Sequence, residues 1–63
     1  MLKVDRCLVK YDGVQEAGGF GPDLLQWTVY GGPIEGATLY TRTIGELPSA
    51  LTSRIALFER GRP

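Results

Sequence analysis

An α+β fold, a small antiparallel β-sheet of about three strands with a C-terminal amphipathic helix packed on one face, is predicted by three observations. Period-two segments rich in β-branched and aromatic residues fill the first two thirds of the chain. Breaks rich in Gly and Pro separate them, and a 3.6-residue apolar period runs through the last third. The 63 residues make a single compact domain (1–63), and a domain of this size buries only about 60% of its unfolded surface. With 43% apolar and 22% charged residues, the composition is that of a folding domain and not of a disordered chain.

Leu2 to Tyr11 reads as the first strand, closed by the turn dipeptide Asp12-Gly13. Its alternation is imperfect, because Arg6 interrupts the face of Leu2, Val4 and Leu8 while Cys7, Val9 and Tyr11 fall opposite. Either both faces are partly covered or a bulge near Asp5-Arg6 shifts the phase. Val14 to Ala17 then pairs back as a short hairpin arm, before Gly18-Gly19-Phe20-Gly21-Pro22 breaks regular structure.

Leu24 to Tyr30 is the best strand pattern, with Leu25, Trp27 and Val29 on one face and Gln26, Thr28 and Tyr30 on the other. A short helix over Asp23 to Gln26 is the alternative, because Pro22 and Asp23 suit a helix N-terminus. Gly31-Gly32-Pro33 turns the chain into a further strand, Gly36 to Arg42, completing an antiparallel hairpin.

The last element is a helix from about Pro48 to Arg60. Leu47, Ala50, Leu51, Ile55, Leu57 and Phe58 share one sector, into which Arg54 also falls with its stem over the core edge. Thr43 and Glu46 have the spacing of a capping box, Pro48 suits the first turn, and Gly61 and Pro63 supply the stop.

Several function classes are weakened by composition. The chain has no histidine and one cysteine, so the usual general base, a Cys/His pair, an internal disulfide and a Cys/His zinc site are all missing. Cys7 reads as a small buried hydrophobe, and no catalytic residue, metal or cofactor is expected. The glycine-rich stretch makes a poor phosphate loop, since Pro22 removes an N–H and Asp23 repels the anion. The opening residues alternate charged and apolar side chains and lack the run of a signal peptide or membrane span. A cytoplasmic protein, in a bacterial host cell, and a complete small reading frame are therefore expected.

Charge is the most directional signal. From Tyr11 to Thr41 there is no Lys or Arg, while Asp12, Glu16, Asp23 and Glu35 make the middle purely acidic. Presented together by loops, with Phe20 and Tyr30 as aromatic anchors, these residues suit a basic DNA-binding surface on a larger protein or ribonucleoprotein complex. The expected function is that of a small, monomeric, non-enzymatic inhibitor that competes with DNA phosphates, as phage anti-defence proteins such as anti-CRISPRs do. One alternative is a single-strand nucleic-acid module stacking bases on Tyr30, Tyr40 and Tyr11, with Lys3 and Arg42 nearby. Another is a self-associating phage or toxin-antitoxin adaptor, using a strand edge or the Arg54, Arg60, Arg62 end of the helix.

Overall fold

The computed structural model describes residues 1–61. Four antiparallel strands lie in the order β1 (Leu2–Val4), β2 (Cys7–Gln15), β3 (Leu24–Gly31) and β4 (Thr38–Thr41), so every connection joins spatial neighbours. A 3-10 turn at Ile44–Glu46 leads into helix α1 (Leu47–Arg60), which packs on one face of the sheet. The α+β architecture is as the sequence predicts, with four strands in place of about three.

The additional strand arises at the two positions where the sequence pattern is least decisive. Asp5-Arg6 is a hairpin turn, with Asp5 at a left-handed φ of 55°, and Val4 pairs with Cys7 across it. Asp12-Gly13, expected to turn the chain, instead forms a bulge inside β2: Tyr11 pairs with Trp27, Gly13 with Gln26, and Asp12 is the extra residue. Gly13 takes a φ of 112°, which glycine adopts without a Cβ penalty. Val14 and Gln15 therefore extend β2 and do not fold back on it. A second bulge places Tyr30 between the pairs Val9–Val29 and Leu8–Gly31.

The alternative of a helix over Asp23 to Gln26 is not taken, because Leu24 to Gly31 is strand throughout. β4 is shorter than the expected Gly36 to Arg42; Gly36 and Ala37 belong to a turn that hydrogen-bonds back to Val29 at 2.8 and 2.9 Å.

One sheet face carries Cys7, Val9, Trp27, Val29, Leu39 and Thr41 against Leu47, Leu51 and Ile55 of α1, and Ile34 closes the core from the β3–β4 turn. The helix sector is narrower than its periodicity suggests. Ala50 is half-buried, but Leu57 and Phe58 are 60% and 43% exposed, because the helix meets the sheet mainly through its first two and a half turns. Arg54 is exposed. The capping box forms differently from expected: Thr43 makes no side-chain cap bond, and Glu46 Oε1 accepts from the Arg42 backbone N–H at 2.6 Å. Gly61 ends the helix in right-handed geometry, its N–H donating to the Leu57 carbonyl at 3.1 Å. Arg62 and Pro63, invoked above for the helix end, lie outside the described residues.

Candidate functional site

Two of the four middle carboxylates, Glu16 and Asp23, flank the loop at one end of the sheet, while Asp12 lies midway along β2, about 13 Å from Glu16. Asp12 projects from the β2 bulge and accepts a hydrogen bond from the Thr28 hydroxyl on the face away from the helix. Glu16 leaves the end of β2, and Asp23 precedes β3. The loop between them is shaped by its own bonds, since Asp23 Oδ1 accepts from the Ala17 N–H at 3.0 Å and the Phe20 N–H donates to the Ala17 carbonyl at 3.1 Å. Gly18 and Gly19, at φ of 61° and 89°, complete the turn and leave Phe20 98% exposed at its tip.

Glu35 and Tyr30 are not part of this group. Glu35 lies in the β3–β4 turn and Tyr30 near the end of β3 that leads into it, and eight strand residues separate the two ends of β3 by about 23 Å. The expectation that all four acids share one surface is therefore corrected to the pair Glu16 and Asp23, with Phe20 as their aromatic neighbour and Asp12 apart at the mid-strand bulge. Hairpin topology is the reason: successive turns of an antiparallel meander fall at alternate ends of the sheet.

The expected tyrosine face is also corrected. Tyr11 lies opposite Trp27 on the helix side, with ring centroids 5.4 Å apart and planes tilted at 59°, a favourable aromatic geometry. Tyr30 and Tyr40 remain exposed on or beside the outer face, but Tyr40 pairs with Gln26, four residues from Tyr30 along β3 and so about 13 Å away. Lys10, opposite Thr28, falls between them.

A hollow that the sequence reading missed lies on the helix side of the sheet. Leu2, Tyr11, Leu25, Trp27 and Ile44 line an apolar depression of about 400 Å³, at the lower end of the size range of ligand sites. It opens beside the 3-10 turn that carries Ile44, where α1 does not cover the sheet. Val14, 54% exposed and paired with Leu25, extends the apolar surface toward Glu16 and Asp23, each two residues or about 7 Å further along its strand. The available signal was Ile44, an apolar residue outside the helical sector between Thr43 and Gly45.

Cys7 is buried in the core, and burial raises its thiol pKa, with Asp5 adding to the shift and Arg6 opposing it. A thiol so held is a poor nucleophile. Among the described residues no group of three or more His, Cys, Asp or Glu side chains is placed to hold a metal, and no helix is long and apolar enough to cross a membrane. Comparison with known proteins found no match to this chain among family models, curated proteins or solved structures.

Proposed function

We propose that this chain is a small non-enzymatic binding protein that docks on the basic, nucleic-acid-handling surface of a larger complex and blocks it. Phage-encoded anti-defence proteins such as anti-CRISPRs act in this way. The supporting observation is the placement of Glu16 and Asp23 together at one end of the sheet beside Phe20, with Asp12 further along the same strand and an apolar hollow on the helix side. Carboxylates at a hairpin end compete with phosphates for Lys and Arg, and neighbouring apolar side chains supply the buried contacts that charge alone does not.

A pull-down from bacterial lysate tests it, comparing the wild-type chain with the D12K/E16K/D23K variant in the presence and absence of competing duplex DNA. The expected result is recovery of a nucleic-acid-processing assembly by the wild-type chain alone, with DNA displacing it. Recovery of no such assembly, or capture indifferent to both the charge reversal and the DNA, counts against the proposal.

A second reading rests on the outer sheet face, where Lys3 and Lys10 accompany exposed Tyr30 and Tyr40. Stacking of single-stranded bases on these rings would give oligonucleotide binding that falls steeply with salt and is lost in Y30A/Y40A. Titration with oligo(dT) at low salt decides it, since no binding there removes this reading.

A further inference from the structure

The free edge of β2 brings three observations together. β1 pairs with β2 only through Cys7, Leu8 and Val9, so Tyr11 to Gln15 have β3 on one side and, among the described residues, no strand on the other. On either side of the Asp12-Gly13 bulge such an edge presents unpaired N–H and C=O groups to an incoming chain. The hollow lies at that same edge. Leu2 is opposite Val9 and lines the hollow, so a strand continuing the line of β1 would set its next inward side chain opposite Tyr11, at the hollow's rim. The edge and the loop that follows it carry Asp12, Glu16 and Asp23 and no Lys or Arg.

We propose that the open edge of β2 takes an extended basic segment of the partner protein by antiparallel strand addition. A bulky apolar side chain of that segment fills the hollow between Leu2, Tyr11, Leu25 and Ile44, and Lys or Arg residues flanking it meet the negative charge of the Glu16 and Asp23 end, to which Asp12 on the outer face adds at longer range. Main-chain bonds along the edge supply affinity, while the hollow and the carboxylates supply selectivity. Charge favours this occupant over a second copy of the chain, because edge-to-edge pairing of two copies would bring two sets of these carboxylates to one seam. The inference rests on the protein-binding reading above and deepens it.

The probe is a displayed random-peptide library selected on the full chain, followed by amide hydrogen exchange with the selected peptide. Enriched peptides should alternate apolar residues with Lys or Arg, and should protect amides within Tyr11 to Gln15. Ile44→Trp fills the hollow from a rim position that is 59% exposed, so it should spare the fold and lower peptide affinity about tenfold or more. Glu16→Lys should weaken binding at low salt while leaving the thermal midpoint unchanged. No enrichment, peptides without basic residues, protection at the β4 edge instead, or a concentration-dependent dimer that excludes peptide would each overturn the inference. A lysate partner lost on D12K/E16K/D23K but retained on Ile44→Trp would leave the binding function standing and remove the strand-addition mode.

Discussion

Trp27 donates its indole N–H to the Thr41 hydroxyl at 2.9 Å, and both residues are buried, at 2% and 3% exposure. This bond ties β3 to β4 at the boundary between the core and the hollow, whose wall Trp27 shares. A buried donor needs a partner, so the pair sets the orientation of the indole as well as stability. Thr41→Val keeps the shape and orphans the indole N–H, and should cost about 1–3 kcal/mol. Thr41→Ser keeps the hydroxyl and should cost less, about 1 kcal/mol for the lost methyl. Urea unfolding followed by fluorescence of the single tryptophan checks both.

The β1–β2 and β3–β4 turns approach one another at Gly32. A Cβ on Gly32 would lie 2.4 Å from the Arg6 carbonyl oxygen and 3.1 Å from Cys7 Sγ, and its φ is 107°. Gly36, at φ 91°, has open space around its Cβ position. Gly32→Ala should therefore be far more destabilising than Gly36→Ala, which meets backbone strain alone, of order 1 kcal/mol. Thermal midpoints of the two variants measured side by side test the contrast.

Leu51 and Leu57 lie in the same predicted helical sector but have opposite fates, fully buried against 60% exposed. Leu51→Ala should cost about 2–5 kcal/mol, comparable with the whole stability of so small a domain. Leu57→Ala should stay within about 0.5 kcal/mol. Equal effects in denaturant titrations would contradict the helix placement.

Alkaline pH should act through Cys7. Burial holds its thiol pKa above the ordinary 9.0, so the folded chain keeps a proton that the unfolded chain releases. Stability from this group is complete below about pH 9 and falls as pH rises from there toward the folded pKa. Cys7→Ser should flatten that alkaline decline in urea midpoints taken between neutral and strongly alkaline pH. The same burial predicts that a thiol reagent modifies Cys7 only as fast as the domain opens.

The helix, the strand through Trp27, the faces of Leu39 and Thr41 and the burial of Cys7 were all legible from residue order. Alternation and the 3.6 period are steric consequences of the local backbone, so they appear wherever one face is to be covered. The roles of Asp5-Arg6 and Asp12-Gly13 were exchanged between bulge and turn because both dipeptides tolerate either; cross-strand pairing of Val4 with Cys7 and of Tyr11 with Trp27 decides between them. Partition of the acidic residues was equally hidden. Strand order sends Glu16 and Asp23 to one end and Glu35 to the other. The hollow depends on where the helix and the 3-10 turn before it sit over the sheet, a relation between elements that neither element's pattern contains. Periodicity is written in neighbouring residues, whereas register, coverage and the company a charge keeps depend on contacts between residues distant in the chain.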